Sequence, residues 1–244
     1  MTTFLLKFLA LIFMVVDHVG YFFMGATEYY ETFRCLGRIA FPIFMFLVIV
    51  GAIKTSNKKK YLTRLAIFSG ITFIGNHLLM LWFNNSWKID SNIFLTMFLN
   101  AFIVCLIENR KNIKKILIVL GIIISTVLIH FVDYGYLSLT ISIAYYLYIK
   151  NPKNLSKVKN NLLFLIYGSL SMIIGTFINY WGSETVIAMQ LFMLLSLPLI
   201  MMYNGKLGLE KNTFFYKFQK YFFYIFYITH IWIFYIINFV RLGG

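Results

Sequence analysis

Polar side chains break the chain into about nine long apolar runs, at residues 4–24, 37–54, 65–83, 92–108, 115–131, 136–150, 161–180, 185–203 and 220–240. Most are close to the roughly 20 residues that a helix needs to cross a bilayer. Lipid offers the backbone no hydrogen-bond partner, so each span is expected to be an α-helix. A transmembrane barrel needs short alternating segments, and a run such as "ILIVLGIIISTVLI" does not alternate. The pattern predicts an all-α polytopic bundle of about nine spans. The connections are short, and no soluble domain fits between them, so residues 1–244 read as one transmembrane domain.

The polar segments between the runs alternate in charge. "KTSNKKKYLTR" holds five Lys and Arg, and "ENRKNIKK" and "KNPKNLSKVK" hold four each. Lys206, Lys211, Lys217 and Lys220 lie between the last two runs. The intervening segments carry mainly Glu28, Glu31, Asp90, Asp133 and Glu184, with Arg34, Arg38 and Lys88 as their cations. By the positive-inside rule the basic segments are cytoplasmic. The amino terminus is then cytoplasmic and, after nine spans, the carboxyl terminus is outside.

Composition agrees with a membrane protein: 61% of residues are hydrophobic and 12% charged, against about 45–50% and about 25% in soluble domains. The net charge of +14 is accounted for by the basic loops, so no nucleic-acid partner is expected. Cys35 and Cys105 fall near opposite faces, which argues against a disulfide. No metal-ligand spacing, phosphate-binding glycine loop or GxSxG elbow is present, and no metal is expected. The first run carries Lys7 ahead of an apolar stretch, as a signal peptide does. It lacks a small-x-small cleavage site and is interrupted by Asp17, so it is expected to be retained.

A charge near mid-bilayer costs about 2.5–3.5 kcal/mol on insertion scales, so such residues usually face the bundle interior and serve function. Asp17 and His18 lie in the outer half of the first run. Arg38 opens the second, His77 lies in the outer half of the third, and Asn92, Thr96 and Asn100 form an i, i+4, i+8 stripe in the fourth. His130 and Asp133 close the fifth, and His230 sits near the middle of the last. Neighbouring helical residues point about 100° apart, so Asp17 and His18 face different targets. The expectation is that Asp17 braces Arg38 and His18 reacts. A neutral histidine accepts a proton from a hydroxyl or amine, and an arginine offsets developing negative charge. That set suits acyl transfer. It equally suits a proton-coupled small-molecule transporter, although no internal repeat of the kind common in transporters occurs. A membrane scaffold without catalysis is a third reading, and it leaves the buried ionisable residues unexplained.

Several stretches resemble the TraX family of integral membrane proteins, named for a conjugative-pilin N-acetyltransferase. "LKFLALIFMVVDHVGYFF" is similar to the family's opening. "RCLGRIAFPIFMFLVIVGAIKTSNKKKYLTRLAIF" is similar to its second motif, an arginine-rich helix leading to a Thr-x-Asn-x-x-Lys-Tyr-x-x-Arg loop. "SNIFLTMFL", "DYGYLSLTISIAYY" and "KYFFYIFYITHIWIFYII" resemble later blocks. Ile228 stands where the family usually has proline, which should leave the last helix straighter. The Asn-x-x-Phe-Thr block is offset by one, at Asn92 to Thr96.

The resemblance implies an acyl-CoA-dependent enzyme in a bacterial cytoplasmic membrane. It would move an acetyl group from acetyl-CoA to an amine or hydroxyl, such as a peptide or protein N-terminus or a cell-envelope sugar. It does not imply a pilin substrate. Carried over by position, Asp17, His18, Arg38, Asp133 and His230 are the catalytic candidates, with the base either His18 or His230. Asn57, Lys60, Tyr61 and Arg64, joined by Lys58, are the candidates for coenzyme A. Arg34, Asn92, Thr96 and Tyr227, joined by His77, are the candidates for the acceptor.

Overall fold

The computed structural model describes residues 1–25, 27–83, 92–111, 113–150, 156–208 and 214–241. Among these every regular element is helical, with no strand. In order they are α1 (Thr3–Phe23), α2 (Tyr30–Gly37), α3 (Ala40–Lys54), α4 (Lys58–Trp82), α5 (Ile93–Glu108), α6 (Lys115–Ile129), α7 (Gly135–Lys150), α8 (Lys157–Tyr180), α9 (Glu184–Leu191), a 3-10 turn (Phe192–Leu195), α10 (Ser196–Met201) and α11 (Phe214–Arg241). Each of the nine expected apolar runs is helical. Lys88, Asp90 and Lys211, used in the charge pattern, lie outside the described residues.

Among the described residues six stretches are long and apolar enough to cross a membrane: Thr3–Phe23, Tyr30–Lys54, Lys58–Trp82, Val158–Tyr180, Glu184–Met201 and Tyr221–Arg241. This is a multi-pass membrane protein by helix length and composition. α5, α6 and α7 have 15 or 16 residues, which at about 1.5 Å per residue reach about 24 Å, short of a hydrocarbon core of about 30 Å. Tyr30–Lys54 differs from the other five: 78% of its apolar window is buried, against 22–33% in the rest. It is therefore an interior helix, whereas the others keep faces suited to lipid.

The chain forms two compact units. The first comprises Met1–Phe44, Thr72–Asp90 and Ala188–Gly244. Here α1 packs on α2 and on α11. Small residues set the closeness of α1 and α2: a methyl at Gly20 would meet Phe33, and one at Gly37 would overlap Asp17, as expected where backbones approach closely. The second half of α4 meets α11 through Gly75, which makes room for the Trp232 indole, and through Trp232 Nε1 donating to Asn76 Oδ1 at 2.9 Å. The first amides of α1 are satisfied from the other end of the chain. Thr3 N donates to the Lys206 carbonyl at 2.8 Å and Phe4 N to that of Leu207 at 3.1 Å, answering the unfilled donors of a helix start.

The second unit comprises Met45–Ile71 and Ser91–Ile187. α7 and α8 pack tightly, with Gly175 against Leu137 and Thr140 Oγ1 donating to the Ser171 carbonyl at 2.9 Å. Phe46, Tyr145 and Phe164 form an aromatic core, and Leu99, Ile103 and Ile129 another. The α6–α7 corner is tight: Tyr134 and Gly135 both have positive φ, 62° and 38°. Asn179 Oδ1 accepts from Tyr136 N at 3.1 Å and lies where a side chain at 135 would go.

Candidate functional site

In the first unit the Asp17–His18 pair is resolved into two separate tasks. The Asp17 carboxylate is divided between two arginines of the α2 end. Arg34 Nη1 donates to Oδ2 at 2.7 Å and Arg38 Nη2 to Oδ1 at 3.0 Å. The three side chains are only 9–16% exposed. Arg38 is placed by the turn between α2 and α3, and its Nε donates to the Arg34 carbonyl at 3.3 Å. Arg34 also reaches the Asp17 carbonyl at 3.3 Å, and its guanidinium lies over the Tyr21 ring, 5.2 Å from the centroid. Gly37 is what lets Asp17 come this close.

His18 turns instead to α11. Its Nδ1 lies 2.9 Å from His230 Nε2, and His230 Nδ1 lies 2.7 Å from the Phe226 carbonyl. These contacts assign the protons. A carbonyl only accepts, so His230 Nδ1 carries hydrogen. Its Nε2 is then the lone pair in the neutral ring, and His18 Nδ1 must donate to it. His18 Nε2 is then the nitrogen that carries the lone pair of the neutral ring. His18 is half-buried rather than sealed. Phe226 stacks on His230 at 5.2 Å, and Tyr227 stands edge-on to both imidazoles. α11 runs unbroken through Ile228, so His230 is presented by a regular helix turn.

His77 is not brought to this cluster. It is exposed on α4 among Ile74, Leu78 and Leu81 and makes no hydrogen bond or ion pair among the described residues. Its side chain faces outward on an apolar stretch of α4.

The remaining expected residues lie in the second unit and have structural partners. Asn92 caps α5 through Leu95 N, and its Nδ2 donates to the Ser69 carbonyl at 3.1 Å. Asn92 N donates to Asp133 Oδ2 at 2.5 Å and Thr96 Oγ1 to the Asp133 carbonyl at 3.0 Å. Asn100 continues the stripe to Ser138 at 2.9 Å. Asn57 caps α4 by accepting from Lys60 N at 2.8 Å, and the Tyr61 hydroxyl donates to the Val48 carbonyl at 3.0 Å. Arg64 lies over the Tyr61 ring. Lys58, Lys59 and Lys60 open α4 with no acid in its first turn. No group of three or more His, Cys, Asp or Glu side chains suited to a metal occurs among the described residues. Cys35 and Cys105 are free thiols.

A family model described as "TraX protein" matches residues 3–238. The chain belongs to the TraX family. This TraX member also resembles part of the probable fimbrial assembly protein FimC, serogroup H1, of Dichelobacter nodosus, at 35% identity over 71 residues. That match covers 29% of this chain and 29% of the relative. No solved structure matches. Within the family's first two motifs, sequence reasoning singled out the side chains that now meet around Asp17. It missed Gly37, Tyr21 and Phe226, whose roles come from packing and backbone rather than from chemistry visible in the residue type.

Proposed function

We propose that this TraX-family chain is a membrane acyltransferase that moves an acetyl group from acetyl-CoA to an amine or hydroxyl acceptor, with His18 as general base. The observation that carries the reading is the His18–His230 hydrogen bond, which makes His18 Nε2 the lone-pair nitrogen. As the acceptor attacks, His18 Nε2 takes its proton. The positive charge that forms on His18 is spread through Nδ1–H to His230 Nε2, and His230 is held by Phe226. His18 returns the proton to the leaving sulfur. Arg38 supplies positive charge for the developing oxyanion, and Asp17 fixes that arginine. Acetyl-CoA supplies the acetyl group already activated as a thioester.

The proposed topology has nine spans in the inner membrane of a bacterium, with the amino terminus cytoplasmic and the carboxyl terminus outside. Support comes from which ends meet. In the first unit Thr3 and Phe4 meet Lys206 and Leu207, while Arg241 meets the Phe23 carbonyl. In the second unit Glu108 meets Lys150, and Asn92 meets Asp133. Each pair joins two segments assigned to the same face. The three short helices would then cross with local thinning or polar ends at the interface.

The partial likeness to a fimbrial assembly protein favours a second reading, a role in pilus assembly, in which the acceptor is a protein terminus or the chain acts without turnover. The deciding experiment measures transfer from radiolabelled acetyl-CoA by purified protein, wild type against His18→Ala and His230→Ala. A fall of about a hundredfold or more is expected for His18→Ala, in line with loss of a general base. Equal rates would remove His18 from catalysis. Absence of acetyl-CoA binding to wild type would sink the enzyme reading.

A further inference from the structure

Asp17 shares its two carboxylate oxygens between the arginines, and Arg34 reaches the carboxylate through Nη1 rather than as a two-pronged pair. A guanidinium has five N–H donors in a rigid fork. On Arg34 only Nη1 is engaged, by the Asp17 carboxylate and carbonyl. Nη2 and Nε have no acceptor among the described residues. The side chain is 16% exposed, its flat face rests on Tyr21, and its free edge is therefore fixed in direction. Glu31, one turn earlier on α2, is exposed and forms no ion pair among the described residues. A cation held this firmly within a membrane helix pair is costly unless an anion answers it. Asp17 answers one nitrogen only.

We propose that the free edge of Arg34 is an anion seat for the ligand handled at His18, the next residue after Asp17 in α1. The ligand then carries a carboxylate or phosphate close to the group that reacts. The fork suits the paired oxygens of such a group. Tyr21, one helical turn beyond Asp17, keeps the guanidinium from swinging away. Neutral sugars and simple alcohols lack the group this seat fits. The inference takes its location from reading His18 as the reacting residue, but the seat is testable without turnover.

The test titrates purified wild-type protein, in neutral detergent at constant ionic strength, with inorganic phosphate and separately with coenzyme A. Binding is read by calorimetry and by the thermal unfolding midpoint. Wild type is expected to bind phosphate saturably. Arg34→Gln should weaken this by about tenfold or more, Arg34→Lys by less because charge survives without the fork, and Lys115→Gln, an exposed lysine at the start of α6, not at all. If coenzyme A binding falls in Arg34→Gln together with phosphate, the anion belongs to the donor. If coenzyme A binding is kept while phosphate is lost, it belongs to the acceptor. Should Arg34→Gln fail to fold, Arg34→Lys carries the comparison. Wild type without saturable phosphate binding, or an arginine variant that matches wild type, overturns the proposal. A protein that binds phosphate through Arg34 yet transfers no acetyl group keeps the seat and loses the acyltransferase reading.

Discussion

At the scale of single residues, the first motif is a division of labour set by helix geometry. Adjacent residues on a helix point about 100° apart, so Asp17 reaches α2 while His18 reaches α11. The consequence is testable at Asp17. Replacing it by Asn leaves two half-buried guanidiniums facing each other without their shared carboxylate. Removing one partner of a buried ion pair costs about 3–5 kcal/mol. At 14% exposure the lower end, about 3 kcal/mol, is expected for Asp17→Asn in detergent unfolding. Adding Arg34→Gln to Asp17→Asn should recover part of that loss, because a cation then goes with its anion. A double variant no more stable than Asp17→Asn alone would mean that the arginine is held by something other than the carboxylate. The histidine half was legible in sequence as a choice between His18 and His230. Sequence alone could not give the arrangement of the two rings, because it involves the Phe226 carbonyl, a backbone group that no residue type announces.

At the scale of elements, nine apolar runs became helices close to their expected bounds, because in lipid the backbone has no other way to satisfy itself. What sequence did not give was the packing of those helices. Asn92, Thr96, Asp133, Asn57 and Tyr61 drew attention as polar residues matching a family pattern. Their observed partners are helix starts, carbonyls and neighbouring helices, because polar side chains inside lipid serve as interhelical glue as readily as in chemistry. The glycines carry the complementary information. A methyl at Gly37 would overlap Asp17, whereas one at Gly70, inside α4, meets nothing within 4 Å. Gly37→Ala is therefore expected to destabilise by about 1–3 kcal/mol through overpacking and to weaken the Asp17–arginine cluster. Gly70→Ala should stabilise by up to about 1 kcal/mol, the usual gain over glycine in a helix interior. Thermal unfolding of the two variants side by side checks this. Equal shifts would mean that α1 and α2 separate easily, which is incompatible with a site built on their contact.

For the whole molecule, the proposed sidedness rests on charge and on contact, two independent facts. The basic segments alternate along the chain, and the contacts within each unit join ends that the alternation puts on one face. Glu108 and Lys150 meet at 2.7 Å at one such pair of ends, with Tyr146 also donating to Glu108 at 2.9 Å. Six helices meet the length for spanning and three fall short, so the parity of the bundle rests on whether α5, α6 and α7 each cross. If all three cross, Lys111 and Glu184 lie on opposite faces. If α6 or α7 only dips into the membrane, they share a face; if α5 only dips, the two exchange faces. Both positions are exposed, so a single introduced cysteine at each, in a chain with Cys35 and Cys105 replaced by alanine, reports the answer in intact cells. Glu184→Cys is expected to react with a membrane-impermeant maleimide added outside. Lys111→Cys should react only after the cells are permeabilised. Reaction of neither from outside, or of Lys111→Cys alone, would reduce the number of crossings by one. The carboxyl terminus would then be cytoplasmic.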